Sequence, residues 1–248
     1  MAIHRFYLPS AKATELSLEL PASEAHQLTR VLRLHSGDLI RVFDGKGHEF
    51  SASIQTIKRS RVTIRTLENI KSAPEPQVSL TLAHAVLKGR NVDTVIRDAT
   101  MLGVQLIQPV ITKRSHVTDA SVELDGVIKR WHKIAVSSAK QSGRAFVPEI
   151  KPQLTLNQLL TTTKTDLRIF LVEPTTAIAY SSLETLSNDP VPDSATLVIG
   201  PEGGWTTEEI DLASNYGFTM LTLGTRTLRA DATPIVAISA LQFLWKDL

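Results

Sequence analysis

Two segments of the chain join glycine to charged side chains in a way that suits ligand chemistry. The first is Leu197-Val198-Ile199-Gly200-Pro201-Glu202-Gly203-Gly204-Trp205, an apolar run that enters a glycine-rich loop. Without a Cβ, glycine lets backbone N–H and C=O groups approach a ligand closely and take up positive φ. The second is Leu223-Gly224-Thr225-Arg226-Thr227-Leu228-Arg229-Ala230-Asp231-Ala232-Thr233-Pro234, which adds two guanidinium groups and a carboxylate. A third apolar run, Phe170-Leu171-Val172, ends at Glu173-Pro174. Arg229 can hold a phosphate or polarise a carbonyl oxygen, since its planar fork fits both. Asp231 and Glu202 are both candidate proton acceptors. The same residues also fit plainer roles: a tight strand-to-helix turn, an Arg229–Asp231 ion pair, and acids placed near a helix N-terminus.

Other chemistries drop out. No Lys-Ser/Thr follows either glycine loop, so a phosphate-binding P-loop is absent, and the dinucleotide fingerprint is absent too. The chain has no cysteine, which removes disulfides, thiolate ligands and cysteine nucleophiles. Its seven histidines include His84, His116 and His132, which are scattered without metal-ligand spacing, so no metal is expected. No apolar run approaches the roughly 18 residues of a membrane span, and Met1 to Pro9 contains no signal-peptide core. A cytoplasmic protein with no membrane attachment is expected. Charge is unevenly spread: residues 1–70 hold ten basic and seven acidic side chains, residues 88–151 eleven and six, residues 152–248 five and eleven. The first two regions suit a polyanion and the last does not.

The elements that must hold these loops follow from periodicity. Residues 38–67 alternate at period two, with Leu39, Arg41 and Phe43 against Ile40 and Val42, then Phe50, Ala52 and Ile54, then Val62 and Ile64; this predicts a small antiparallel β domain. A short helix is expected over 23–34 with Ser23 as its N-cap. Ser72-Ala73-Pro74-Glu75-Pro76 reads as a linker, dividing the chain into 1–72 and 73–248. Beyond it, strands at 78–86, 106–111, 167–172, 195–199 and 219–223 alternate with helices, which predicts a mainly parallel sheet of α/β type. Ligands sit beyond the carboxyl ends of such strands, where all three loops fall. Thr206 and Glu209 have capping-box spacing. Thr233-Pro234 reads as N-cap and first residue of the last helix.

Set in this order, the motifs resemble the SPOUT methyltransferases, and most closely the RsmE family of 16S ribosomal RNA uridine-N3 methyltransferases. The resemblance rests on Gly200-Pro201-Glu202-Gly203-Gly204, Leu223-Gly224 and Leu228-Arg229 ahead of a terminal helix. It extends through His4-Arg5-Phe6-Tyr7, Arg30-Val31-Leu32-Arg33, Phe43-Asp44-Gly45, Lys88-Gly89, Leu102-Gly103-Val104, Trp131, Gln141-Ser142-Gly143-Arg144 and Pro148-Glu149-Ile150, nearly the whole chain. It implies a PUA-like N-terminal β-barrel that contacts RNA and a C-terminal trefoil-knotted domain that binds S-adenosylmethionine. It also implies a homodimer acting on 16S ribosomal RNA in the 30S subunit. The chain departs from the family pattern at Met101 and Lys140, where glutamate is usual, and at Ala230-Asp231-Ala232, where Thr-Glu-Thr is usual.

On this resemblance the cofactor is expected among Leu171, Val172, Glu173, Ile199, Gly200, Pro201, Glu202, Gly203, Gly204, Leu223, Gly224, Leu228, Arg229 and Thr233. Arg229 and Asp231 are the expected catalytic pair. Arg5, Arg30, Arg33, Lys58, Arg59, Arg61 and Arg144 are the expected phosphate contacts. A ribose 2′-O methyltransferase and a non-catalytic RNA-binding assembly factor are the alternative functions.

Overall fold

The structure, a computed structural model, describes residues 3–12, 16–59, 61–115, 124–174 and 180–247; His116 lies outside them. The chain divides into two compact units, Met1–Glu75 with Val136–Val147, and Pro76–Ala135 with Pro148–Leu248.

The first unit is a five-stranded sheet of β1 (Arg5–Tyr7), β2 (Leu18–Glu19), β3 (Leu39–Phe43), β4 (Glu49–Lys58) and β5 (Arg61–Ile70), in the order β1-β3-β4-β5-β2. Only β1 and β3 run parallel among its pairs. The period-two residues Ile40, Val42, Ala52, Ile54, Val62 and Ile64 all point inward and pack with Phe6, Leu8 and Leu28. Two register shifts between β4 and β5 add local twist and curl the sheet around that core. The helix begins one residue earlier than expected: α1 (Ala22–His26) is preceded by Pro21 without a side-chain cap, so Ser23 is not its N-cap. The next five residues, Gln27–Val31, wind as a π-helix.

Part of the first unit comes from far along the chain. The end of α3 (Leu124–Ser142) and the residues after it are tied to β1 by Arg5. Its Nε and Nη2 donate to the Glu49 carboxylate at 2.9 and 2.8 Å. Its Nη1 donates to the carbonyls of Ala139 and Lys140, both at 2.9 Å, and Nη2 reaches those of Gly143 and Arg144 at 3.1 and 2.9 Å. The Ala139 and Lys140 carbonyls are among those a helix end leaves without intrahelical donors, so a cation there also meets the negative end of the helix dipole. Arg144 is 4% exposed at its side chain and pairs with Glu75. Arg5 and Arg144 are thus committed to partners inside the unit, unlike the exposed cations expected to meet phosphate. Lys140 binds Glu24 at 2.7 Å and Gln27 at 2.8 Å.

The second unit is a parallel sheet of β6 (Ser79–Ala85), β7 (Leu106–Ile111), β8 (Glu149–Ile150), β9 (Leu154–Thr155), β10 (Leu167–Leu171), β11 (Ser194–Ile199) and β12 (Thr219–Leu221). The order is β12-β10-β11-β6-β7-β8, with β9 also on β7, and all of these pairs are parallel. Helices α2 (Asn91–Met101), α4 (Leu156–Thr162), α5 (Leu183–Leu186) and α6 (Thr207–Asn215) occupy the connections. The Thr206–Glu209 capping box is present on α6, and a second, Thr155–Gln158, starts α4. The last helix, α7 (Thr233–Leu244), is capped by Ala232. Thr233 is thus its first residue and no cap; its hydroxyl donates back to the Arg229 carbonyl at 2.8 Å.

The chain end returns to where the unit began. From β12 at one edge, residues 222–232 cross back to β6, and α7 lies against α2, with Gln242 Nε2 donating to the Leu102 carbonyl. The Asp247 carboxylate accepts the N–H groups of Gln77 and Val78 at 3.0–3.3 Å.

The Arg5 network gives a direct stability test. Glu49 is 2% exposed at its side chain, so Arg5→Ala leaves a buried carboxylate without its counterion. The expected loss is about 3–5 kcal/mol, read by urea denaturation with a probe in the first unit; a loss below about 1 kcal/mol would show that the pair behaves as a surface one.

Candidate active site

The carboxyl ends of β10, β11 and β12 open on one cavity of 320 Å³. Parallel pairing puts these ends on one side of the sheet, and each is followed by one of the three loops singled out by composition. Of the expected residues, Leu171, Val172, Glu173, Ile199, Gly200, Pro201, Glu202, Gly204, Leu223, Leu228, Arg229, Asp231 and Thr233 line it. Gly203 and Gly224 are not among the lining residues.

The glycines divide the work. Gly204 has φ +67°, and a Cβ there would lie 2.6 Å from Glu173 Oε1. Gly200 lies flush against the Trp205 ring, 2.9 Å from an added Cβ, while Trp205 Nε1 donates to the Leu171 carbonyl at 2.7 Å. One indole thus ties the first loop to the end of β10. Gly203 faces the other way: its nearest neighbours are the Cβ and Cδ of Arg114, whose Nη1 donates to the Gly203 carbonyl at 2.7 Å.

Charge is mixed across the cavity. Glu173, Glu202 and Asp231 contribute carboxylates; Arg226 and Arg229 contribute guanidinium groups. Arg229 donates from Nε and Nη2 to the two oxygens of Asp231, both at 3.2 Å, and its side chain is 80% exposed. The structure therefore contains the ion pair. Glu202 Oε1 accepts the Lys88 N–H at 3.2 Å. Beneath the second loop His84 is buried, with Nδ1 2.6 Å from the Ala85 carbonyl and Nε2 3.1 Å from the Ala230 carbonyl. Burial pushes its pKa below the ordinary histidine value; the two carbonyls and the charges of Glu202 and Asp231 act in the opposite direction.

Sequence reasoning missed Asn91, Trp205, Thr222 and Arg226 as pocket residues. Arg226 and Trp205 stand inside the two segments already singled out. Asn91 comes from the start of α2, and nothing in its local sequence connects it to loops more than eighty residues away.

Five cations expected to meet RNA are exposed: Arg30, Arg33, Lys58, Arg59 and Arg61. Lys58 pairs with Arg61 at the point where β4 ends and β5 begins. The Arg33 segment lies beside the approach to it, since Ser36 Oγ and Gly37 N–H bond the carbonyls of Gln55 and Ile54 at 2.8 Å.

The glycine geometry predicts different outcomes for neighbouring substitutions. Gly204→Ala forces a positive φ on a residue with a Cβ, at about 1–2 kcal/mol, and displaces Glu173. Gly203→Ala asks only a slight shift of a flexible arginine. Thermal unfolding should fall by about 4 °C for Gly204→Ala and by less than about 1 °C for Gly203→Ala; equal melting temperatures would refute this assignment of faces.

Comparison with known proteins agrees with this architecture. Residues 73–242 match the family model of an RNA methyltransferase domain, and residues 20–67 that of an RNA methyltransferase PUA domain. The ribosomal RNA small subunit methyltransferase E of Synechocystis is 32% identical over 241 residues, covering 97% of this chain and 78% of that protein. A methyltransferase of Legionella pneumophila, solved with bound SAM, superposes with a TM-score of 0.89 at 30% identity, covering 98% of each chain. The ribosomal RNA small subunit methyltransferase E of Neisseria gonorrhoeae, solved with S-adenosyl methionine, gives 0.87 at 30% identity, again over 98% of each. With a PUA-like curled sheet before a parallel sheet whose strand ends carry the glycine loops, the chain belongs to the ribosomal RNA small subunit methyltransferase E family, of the knotted SPOUT class.

Proposed function

We propose that this protein transfers a methyl group from S-adenosylmethionine to N3 of a uridine in 16S ribosomal RNA, on the 30S subunit in the cytoplasm. The observation that carries the reading is the convergence of three strand-end loops on a single cavity. Its 320 Å³ lies in the range of small-molecule pockets, about 300–1,000 Å³. The cofactor fits its chemistry: Gly200 and Gly204 open the walls, backbone groups at Leu171, Ile199, Leu223 and Leu228 suit an adenine edge, and Glu173 and Glu202 offset a positive sulfonium. When bound, the cofactor supplies an electrophilic methyl group whose leaving group is a neutral thioether.

The chain's own residues must orient the uracil, take charge on its carbonyl oxygens and accept the N3 proton. We assign the first two roles to Arg229 and the last to Asp231. As they stand the two groups occupy each other. An exposed pair of this kind is held by little free energy, so arrival of an anionic or carbonyl-rich substrate can draw the guanidinium away. That single exchange supplies a donor to the substrate and frees a carboxylate oxygen beside it. Arg229 serves the RNA side and not the cofactor, because a guanidinium aimed at a sulfonium is repelled by it.

The proposed division of labour follows the division 1–72 and 73–248. Arg30, Arg33, Lys58, Arg59 and Arg61 hold RNA phosphates in the first part, and the cofactor is held in the second. A homodimer belongs to the same reading, with Ile235, Val236 and Phe243 as its candidate face; they are 38%, 43% and 73% exposed on α7, an apolar surface that pairing would cover.

Methylation of 30S subunits with labelled cofactor, followed by mass spectrometry of the product nucleoside, tests the assignment; a methyl on the ribose O2′ would overturn it. Within that assay Arg229→Ala should lose on the order of a hundredfold in single-turnover rate with cofactor affinity nearly unchanged. Charge reversal at Arg30 and Arg33 should weaken RNA binding and flatten its salt dependence without touching cofactor affinity. Light scattering at micromolar concentration should give twice the chain mass, and a monomer would refute the dimer.

A further inference from the structure

Among the described residues His84 is the histidine that lies beneath the second loop, and the proposed chemistry leaves it unused. It is 3% exposed on β6, and both ring nitrogens face carbonyl oxygens. Both of those carbonyls lack their usual backbone donor for the same reason. Val86 N–H bonds the Val110 carbonyl, so even-numbered residues here face β7 and Ala85 faces β11. With His84 opposite Ile199 in parallel register, the donor for the Ala85 carbonyl would come from Pro201, which has no N–H. At the second loop Thr233 N–H bonds the Arg229 carbonyl at 2.9 Å. The next bond of that helical series would join the Ala230 carbonyl to residue 234, again a proline.

A neutral imidazole has one N–H for two waiting oxygens, and an imidazolium has two. The two oxygens are not equivalent in consequence. The Ala85 carbonyl is one residue away on the same strand, and strand pairing fixes it. The Ala230 carbonyl belongs to the segment crossing from β12 to β6, between Arg229 and Asp231. Around it, the Arg229 carbonyl accepts the N–H groups of Ala232 and Thr233 and the Thr233 hydroxyl, and the exposed Arg229–Asp231 pair lies outside. The charged groups acting on the ring are the carboxylates of Glu202, in the loop after β11, and Asp231; Glu202 accepts the Lys88 backbone N–H and Asp231 the Arg229 guanidinium.

We propose that His84 is a positioning residue for methyl transfer: by donating Nε2–H to the Ala230 carbonyl, it fixes the backbone that carries Arg229 and Asp231. The role in transfer rests on the methyltransferase reading above; the bond itself does not. A carbonyl buried without a donor is costly, so removing the ring N–H should let residues 229–231 shift toward solvent and misplace the two side chains.

Imidazole ¹⁵N NMR of the wild-type protein, free of cofactor, tests the bond first. A proton on Nε2 at neutral pH is expected; a bare Nε2 with the proton on Nδ1 would overturn the proposal. The second test compares His84→Leu, which has no donor, with His84→Gln, whose amide N–H groups can still reach toward Ala230. In single-turnover methylation of 30S subunits at saturating cofactor, His84→Leu should be slower by on the order of tenfold, the effect of one hydrogen bond. Its cofactor affinity should stay within about threefold, and His84→Gln should recover most of the rate. A folded His84→Leu protein with wild-type rate, or with a defect in cofactor affinity alone, overturns the role, as does a folded His84→Gln protein as slow as His84→Leu. If His84→Leu does not fold, the His84→Gln rate and the NMR result decide. Absence of methylation by the wild-type protein would instead count against the methyltransferase reading, while the NMR result still decides the bond.

Discussion

Parallel pairing of β10 with both β11 and β12 is the constraint on which the cavity depends. Parallel strands place all their carboxyl ends on one side, so three loops separated in sequence arrive together without any contact among them being needed in advance. The arrangement has a structural consequence. A chain that reaches β12 at the sheet edge must travel back over β10 and β11 before it can pack its last helix on α2. The segment that makes this return, residues 222–232, is the one that carries Arg226, Arg229 and Asp231. Arg226, Arg229 and Asp231 therefore sit on a crossing segment, and their placement depends on how that crossing is tethered.

The tethers are mostly polar and local. Trp205 fixes the first loop to the end of β10 through the Leu171 carbonyl, and Arg114 holds the outer side of the same loop at Gly203. Thr233 turns its hydroxyl onto Arg229's carbonyl, and His84 meets the next carbonyl from below. This leaves the backbone of the second loop held from two sides while the Arg229 side chain is largely exposed. A stiff backbone with a movable guanidinium is what a substrate exchange at Asp231 requires, since the pair can open without moving the residues that carry it.

The legible parts of this fold were those with a periodic signal. Alternation marked β3, β4 and β5, apolar runs marked the five longer strands of the parallel sheet, and the Thr206–Glu209 spacing marked the start of α6, whereas the short β1, β2, β8 and β9 carry too few residues for a period to show. The start of α7 was harder: Thr233-Pro234 has the composition of a cap followed by a first residue, yet Ala232 takes the cap position because the Thr233 hydroxyl is drawn to the Arg229 carbonyl. Arg5 and Arg144 show a different limit. A basic residue in a basic region fits a phosphate contact equally well on paper, and only the arrival of Glu49, and of the end of α3 more than a hundred residues along, turns Arg5 inward. Gly203 and Gly204 are adjacent and identical in type, and backbone direction alone decides which one meets the cavity. The Thr155–Gln158 capping box was there to be read, but α4 is short and its apolar face is brief, so periodicity gave little reason to look.

The departures from the family pattern have local physical accounts. Lys140 stands where an acid is usual, and here the ammonium group is met by Glu24 and Gln27 and lies 5.5 Å from the centre of the Phe6 ring. The positive charge is thus paired locally, within the first unit. Met101 ends α2 with 37% exposure and takes no part in the cavity lining. Ala230 is different. It is 9% exposed, and its carbonyl is the one His84 faces. A threonine there would bring a buried hydroxyl that needs its own partner, next to an oxygen whose helical donor is already missing. With alanine the side chain asks for nothing, and the ring N–H is left for the backbone. Of the three departures, the one in the second loop is thus the one that bears on how Arg229 and Asp231 are held, and it does so through the main chain and not through the hydroxyl it removes.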